Sequence, residues 1–177
     1  MTPRLLTAIA IFAVVPAFAQ PAQMNAKSNS TAGVTLPATA VNKTAPENAV
    51  RHIDGKELLS ALNSKKPTDA LTEVRLSEGD HYRVSNTLRD RNGVVEFHDY
   101  WYDHIFIQEG ETTFLTGGTM VGAVDTGPGE KRAVSISGGT STPLHAGDYF
   151  LVPPHIPHQM LVENGKHVRF IVFKVRK

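Results

Sequence analysis

From Thr72 to the C-terminus the chain consists of short runs of strand-forming residues, interrupted every few positions by turn signals. Strands are predicted at 73–76, 81–89, 94–98, 103–107, 112–116, 119–124, 132–137, 141–144, 149–152, 158–162 and 168–175. Glycine-containing turns are predicted at 91–93, 109–110, 117–118, 127–129, 138–139, 147–148 and 164–165. This spacing, with no long helical period among the strands, is typical of an antiparallel sandwich or barrel. The sequence therefore predicts an all-β domain over residues 72–177.

The N-terminus has the pattern of an export signal. Arg4 precedes an apolar run from Leu5 to Val15, and Pro16-Ala-Phe-Ala19 supplies small residues before a cleavage point. The apolar run of roughly 11 residues is too short for a membrane-spanning helix, which needs about 20. We therefore expect residues 1–19 to be a signal peptide, and the mature protein to be periplasmic or secreted with no membrane anchor.

Two further segments precede the β-domain. Residues 20–48 are rich in Ala, Thr, Asn, Pro and Ser without an apolar period, which predicts a flexible linker. Residues 49–71 are predicted to contain a short helix, because apolar residues recur near helical spacing at Val50, Ile53, Leu58, Leu59 and Leu62. Asp54 or Asn48 is the candidate N-cap, and Lys65-Lys66-Pro67 would end the helix.

Charge and cysteine content restrict the partners of the protein. The chain has 18 basic and 17 acidic residues, and removal of Arg4 with the signal would leave 17 of each. Such a balance gives no electrostatic basis for binding nucleic acid or an anionic membrane. Because cysteine is absent, disulfides and thiolate metal ligands are excluded.

Ligand-type side chains occur in two segments about fifty residues apart. Alternation along a strand places Glu96 and His98 on one face. In the next strand Asp103 shares a face with two isoleucines, which favours Asp103 over His104 as the inward residue. His104 in place of Asp103, and a solvent-facing Glu96, are the alternatives. His158 begins a later strand and shares its face with apolar residues.

The strand at 81–89 contains two arginines, Arg83 and Arg89. Arg83 shares its face with His81 and Ser85, a polar set. This pattern favours a solvated face.

Residues 92–118 and 147–158 resemble the two motifs of the cupin superfamily. In the first motif a His-x-His pair is followed by an acidic ligand and then by a glycine-containing turn, positions that His98, Asp103 and Gly110 match. The glycine, proline and histidine of the second motif are matched in order by Gly147, Pro153 and His158. The resemblance covers roughly residues 72–175.

The chain departs from the cupin pattern at three positions. Glu96 stands where the first histidine is usual, and Asp103 replaces the usual glutamate. Both changes keep ligand capacity, because carboxylate oxygens bind divalent metals as imidazole nitrogens do. His155 occupies the usual glycine position of the second motif, where we interpret it as a rim residue rather than a ligand.

The resemblance implies a cupin-type antiparallel β-barrel or jelly roll with a short N-terminal helix, and a homodimer. It also implies one divalent metal held by Glu96, His98, Asp103 and His158. Two imidazoles and two carboxylates suit Mn, Fe, Zn, Ni or Co.

Three functions are compatible with this site. The first is a metal-dependent enzyme acting on a small molecule as an oxygenase, isomerase or lyase, with Glu96 as a possible general base. The second is a non-catalytic module that binds a metal or small ligand, and the third is a metal-free interaction scaffold. One fold hosts many chemistries, so the resemblance does not choose among them.

Overall fold

The computed structural model describes residues Val34–Thr35, 49–64, Lys66 and 69–177. Within these residues the chain forms one helix and thirteen strands. The helix is α1 (Gly55–Asn63). The strands are β1 (Val34–Thr35), β2 (Leu71–Gly79), β3 (Tyr82–Arg89), β4 (Val95–His98), β5 (Trp101–Thr116), β6 (Thr119–Val121), β7 (Val124–Gly127), β8 (Glu130–Ala133), β9 (Ser135–Ser137), β10 (Thr140–His145), β11 (Tyr149–Val152), β12 (His158–Leu161) and β13 (Val168–Arg176). The predicted all-β class with a short N-terminal helix is confirmed.

The predicted signal peptide, residues 1–19, lies outside the described residues, as does most of the predicted linker, residues 20–48. Two residues of that segment, β1, pair in parallel with Thr72 and Glu73 of β2. Among the described residues, no helix has the length and apolar character needed to cross a membrane.

Helix α1 begins where the sequence predicts it. The Asp54 carboxylate accepts hydrogen bonds from the backbone N–H groups of Lys56 and Glu57 at 2.9 and 3.3 Å, and so caps the first turn. The helix buries Leu62 completely and packs against β2 and β3. Val50 and Ile53, which the spacing includes in the helix, precede it.

The strands form two layers that share β5. The first half of β5 lies between β13 and β11, on the side that continues through β3 and β2. Its second half lies between β10 and β12, on the side that continues through β4, β8 and β7. The apolar core between the layers consists of Ile105, Ile107, Phe114, Leu144, Val152, Met160, Val162, Val168 and Phe170.

The prediction of two strands separated by a turn at 109–110 is wrong, because β5 runs unbroken through sixteen residues. Gly110 has φ +78°, and the register with β13 shifts between Arg169 and Phe170, so one extra residue of β5 is accommodated as a bulge. The bulge changes the inward row from odd to even positions. Asp103 and Ile105 point inward before it, and Phe114 points inward after it.

We expect Gly110→Ala to lower the free energy of unfolding by about 3 kcal/mol, through left-handed strain and overpacking together. An added Cβ would lie 2.1 Å from the His167 carbonyl oxygen. Gly165→Ala is the matched control, because Gly165 has φ +81° but open space around it. We expect it to lose only about 1 kcal/mol. Equal losses in chemical denaturation would show that the close approach of β5 to β13 has no energetic consequence.

Candidate metal centre and cavity

Strand pairing brings the two motif segments side by side. His158 of β12 lies opposite Glu96 of β4. One possible ligand atom from each of Glu96, His98 and His158 lies within 4.8 Å of the others. Asp103 Oδ2 is 3.5 Å from His98 Nε2 and 3.6 Å from His158 Nε2. The structure therefore places all four predicted side chains around one point.

Asp103 and His104 lie on opposite faces of β5. Asp103 is buried inside the barrel, with 4% of its surface exposed. The His104 ring lies on the outer face, where Nδ1 is 2.7 Å from the Tyr149 hydroxyl. His104 is therefore turned away from the cluster.

Each imidazole of the cluster has its Nδ1 held by an oxygen acceptor. His98 Nδ1 is 2.7 Å from Glu130 Oε2, and His158 Nδ1 donates to the Ile156 carbonyl at 3.0 Å. In a neutral imidazole these bonds place the proton on Nδ1 and leave the Nε2 lone pair free. Both Nε2 atoms face Asp103, so the two rings present acceptors to a shared centre.

The position between these acceptors holds the ammonium of Lys174. Lys174 Nζ is 2.6 Å from Asp103 Oδ2, 2.8 Å from His98 Nε2 and 3.8 Å from Glu96 Oε2. Because an ammonium can only donate, the contact with His98 belongs to the neutral form of that ring. The second oxygen of the Asp103 carboxylate, Oδ1, is buried and has no hydrogen-bond partner in the described part of the chain.

The charges of the cluster shift its titrations strongly. Burial would raise the pKa of Glu96 and of Asp103, but the Lys174 ammonium and the neighbouring imidazoles outweigh burial and hold both carboxyl pKa values well below their usual range. Burial would likewise lower the pKa of His98. Hydrogen bonds to Asp103, Glu130 and Glu96 reverse that effect and raise the pKa of His98 to about 10. That shift favours the protonated ring, whose Nε2–H points to Asp103, so a proton on His98 Nε2 and the Lys174 ammonium are alternative cations at one position.

Sequence reasoning missed Lys174, Glu130 and Arg132. Lys174 follows Val168, Phe170 and Val172 on the inward row of β13, so a lysine continuing an apolar alternation was the signal available. Glu130 lies opposite His98, and Arg132 lies opposite Glu96 with Nη2 at 3.5 Å from Oε2. Neither pairing is visible without the register between β4 and β8.

The turn that contains His155 explains why glycine is usual at that position in cupins. His155 has φ +67°, a left-handed conformation that few side chains tolerate. Its backbone N–H donates to the His98 carbonyl at 2.8 Å, and its Nδ1 lies 3.2 Å from an Asp99 carboxylate oxygen. His155 therefore ties the turn before β12 to the end of β4. Its ring is exposed and is not part of the cluster.

The cluster opens into a cavity of about 370 Å³ between the two layers. Its charged and polar lining comes from both layers, and comprises Glu73, Arg83, Thr87, Arg89, Asn92, Glu96, Asp103, Arg132, His158 and Lys174. The interpretation of the Arg83 face as a solvated face holds for His81 and Arg83, which are exposed, but not for Ser85, Thr87 and Arg89, which are buried. Arg83, Thr87 and Arg89 lie opposite Lys174, Phe170 and Val168, which belong to the inward row of β13. The inward side chains of β3 are polar, so their sequence pattern resembles that of a solvent-facing strand.

Comparison with known proteins finds similarity only among solved structures. No protein-family model matches the sequence, and no curated protein is similar to it. The Schizosaccharomyces pombe Cnp3 cupin domain is 11% identical, with 66% of this chain and 72% of that chain covered and a TM-score of 0.47. A predicted oxalate decarboxylase from Thermotoga maritima is 12% identical over 60% of this chain and 81% of that one, with a TM-score of 0.46. The polyketide cyclase RemF from Streptomyces resistomycificus is 15% identical over 61% and 68%, with a TM-score of 0.44.

At these identities and TM-scores nothing about activity transfers from those proteins to this one. The strand order and the adjacency of the two motif segments are properties of this chain alone. They give it the cupin-like antiparallel β-fold that its motifs predict.

Proposed function

We propose that this protein binds one divalent metal ion through Glu96, His98, Asp103 and His158, and acts on a small molecule held in the adjoining cavity. The observation that carries the proposal is the convergence of two imidazole Nε2 atoms on one buried carboxylate. Mn, Fe, Zn, Ni and Co are the candidate metals, since the four proposed ligands are imidazoles and carboxylates.

Three features of the donor set support a metal. Hydrogen bonding of each Nδ1 to an oxygen is the arrangement that orients metal-binding histidines in proteins. The separations of about 3.5 Å between Nε2 and carboxylate oxygen suit ligands on a shared ion. The unpartnered Asp103 Oδ1 offers a further acceptor, and a buried acceptor without a partner is unfavourable until something fills it.

Lys174 must move for a metal to bind. Its ammonium already contacts Asp103 and His98, and two cations cannot share these donors. The lysine side chain borders the cavity and is partly exposed, so it can withdraw there on its flexible stem. We therefore interpret the present arrangement as the form in which the lysine supplies the positive charge.

The residues around the centre divide the remaining tasks. A bound divalent metal supplies Lewis-acid chemistry, by polarising a carbonyl or acidifying a water. Glu96 is the most exposed of the four ligands and borders the cavity, so it is best placed to face a substrate. Its lowered pKa keeps it ionised, and this favours a ligand role over the general-base role proposed from the sequence. Arg132 holds the Glu96 carboxylate from the neighbouring strand.

The position of Lys174 also favours a second candidate, a metal-free site. In that case the ammonium is the permanent cation of the cluster and itself binds or protonates a ligand in the cavity. Metal binding by the intact protein separates the two candidates.

We expect the wild-type protein, loaded with Mn, Co or Zn and then dialysed, to retain about one metal ion per chain by elemental analysis. His98→Ala and His158→Ala should lose that ion, because each removes a buried ligand. His145→Ala, which changes an exposed histidine far from the cluster, is the control and should retain it. Wild-type protein that takes up no metal would leave the metal-free candidate. If the protein does bind metal, turnover of small diketones, phenols and sugars by the metal-loaded protein would separate an enzyme from a binding module.

We expect Lys174→Met to bind metal at least about tenfold more tightly than wild type, because no ammonium competes for the donors. In the presence of chelator, the free energy of unfolding of the same variant should be about 3 kcal/mol lower than that of wild type, since the substitution leaves the buried Asp103 carboxylate without its cation. Lys166→Met is the control. It removes an exposed lysine that pairs with Glu111 and Glu163, and we expect almost no effect on either measurement. Unchanged metal affinity in Lys174→Met would contradict competition at a shared site.

We propose that two copies of the chain pair through the outer face of β5, β11 and β13. This face carries a contiguous group of exposed apolar side chains: Phe106, Tyr149, Leu151, Phe173 and Val175. Packing the same face of two copies about a two-fold axis would bury all five at once. An apolar group of this kind is otherwise unfavourable on a monomer.

We expect light scattering to give the mass of a dimer for wild type and of a monomer for Phe106→Glu. Val124→Glu, on the far edge of the other layer, places the same charge on another exposed apolar site and should remain dimeric. A monomeric wild type, or dissociation of both variants alike, would contradict pairing through this face.

A further inference from the structure

Arg89 is a buried cation that lines the cavity and has no ion pair among the described residues. Only 8% of its surface is exposed. Its Nε has no hydrogen-bond partner among the described residues, and its guanidinium forms no salt bridge with any carboxylate there. Burial lowers the pKa of Arg89, while Glu96, Asp90 and Glu73 act on it only through longer-range attraction. Arginine nevertheless stays protonated in proteins, so the charge is present and under-compensated.

We propose that Arg89 binds the carboxylate of the small molecule that occupies the cavity, so that the ligand is a small organic acid. This inference names the substrate class of the site and to that extent rests on the proposed function. A buried guanidinium offers a planar fork of N–H donors, which matches a carboxylate in two parallel hydrogen bonds.

The guanidinium packs close to the backbone of Gly93. A Cβ added to Gly93 would lie 3.1 Å from Arg89 Nη1, so the absence of a side chain at position 93 leaves room for the guanidinium. The Gly93 N–H donates to the Met160 carbonyl at 2.8 Å, and its carbonyl accepts from Gln159 Nε2 at 2.9 Å. Both backbone groups are satisfied, which leaves the arginine as the unsatisfied group at this end.

The rest of the lining suits an acid with a short carbon skeleton. Beside its polar groups, the lining includes the apolar side chains of Ile105, Phe114, Phe170 and Val172. The lining contains four cationic side chains and three carboxylates, so an anion improves the charge balance even before any metal is bound. Val168, which pairs with Arg89, lies six residues before Lys174 on β13, a separation of about 20 Å along the strand. The long side chains of Arg89 and Lys174 reduce the distance between their charged groups.

The test titrates the full-length protein with butyrate and with butyramide, its uncharged isostere, in the presence of chelator, and follows binding by NMR. We expect butyrate to bind and butyramide to bind at least about tenfold more weakly, since only the anion pairs with the guanidinium. Arg89→Met should weaken butyrate binding by about 10- to 100-fold. Arg91→Met is the control, because Arg91 pairs with Asp90 outside the cavity. This substitution changes the net charge by the same amount as Arg89→Met.

Stability separates a ligand anchor from a structural arginine. We expect the melting temperature of ligand-free Arg89→Met to equal or exceed that of wild type, because the variant removes a buried charge that no described residue pairs. Arg89→Lys, which keeps the charge but not the fork, should bind butyrate with intermediate affinity. Equal binding of butyrate and butyramide, unchanged butyrate binding in Arg89→Met, or a large loss of stability in that variant would each overturn the proposal.

Metal content of the same variants keeps the two proposals distinct. Arg89→Met should retain metal at the wild-type stoichiometry, since Arg89 contributes no ligand. Butyrate binding that depends on Arg89 in a protein without metal affinity would refute the metal proposal alone. Metal binding without any preference for the anion would refute the carboxylate proposal alone.

Discussion

β5 belongs to both layers of the barrel, and the bulge at Gln108, two residues before Gly110, allows it to do so. Before the bulge its inward row delivers Asp103 to the side where β13 delivers Lys174, and after the bulge its inward row delivers Phe114 to the apolar core. Without the change of row, one half of the strand would turn its apolar residues to solvent. The positions of the cluster and of the core therefore both depend on this one bulge. Beside it, the His167 carbonyl occupies the space that a side chain at position 110 would need.

The cluster concentrates negative charge around His98 and offsets it with half-buried cations. Glu96, Asp103 and Glu130 surround the ring, and Lys174 and Arg132 are the cations that pair with them. The free energy of such an arrangement depends on its completeness, because each group is strongly penalised if its partner is removed. This is why the identity of the central cation matters more than any single ligand. A lysine and a divalent ion satisfy the same donors, but only the ion leaves coordination positions open for another molecule.

The sequence predicted the parts of the site that depend on strand period and missed those that depend on pairing between distant strands. Period-two alternation was enough to turn Asp103 inward and His104 outward, because two isoleucines mark the inner row. The contacts of Glu130, Arg132 and Lys174 require the registers of β8 against β4 and of β13 against β5, which no local pattern contains. Two of the errors have a direct physical cause. A glycine near a bulge resembles a glycine at a turn, and the polar interior row of β3 resembles a solvent-facing row.

The proposed metal and carboxylate sites would be coupled through Lys174. If a divalent ion binds as proposed, Lys174 leaves Asp103 and His98, and its ammonium then remains in the cavity that Arg89 borders. An anion bound at Arg89 would attract both the released ammonium and the incoming ion, so it would favour the exchange. By linkage, the exchange would strengthen anion binding by the same factor. A carboxylate ligand and a metal are thus expected to bind cooperatively here, and the cooperativity should weaken when Lys174 is replaced by an uncharged residue. A site in which the lysine is only a structural counter-ion would show no such dependence, because the ammonium would never leave its carboxylate.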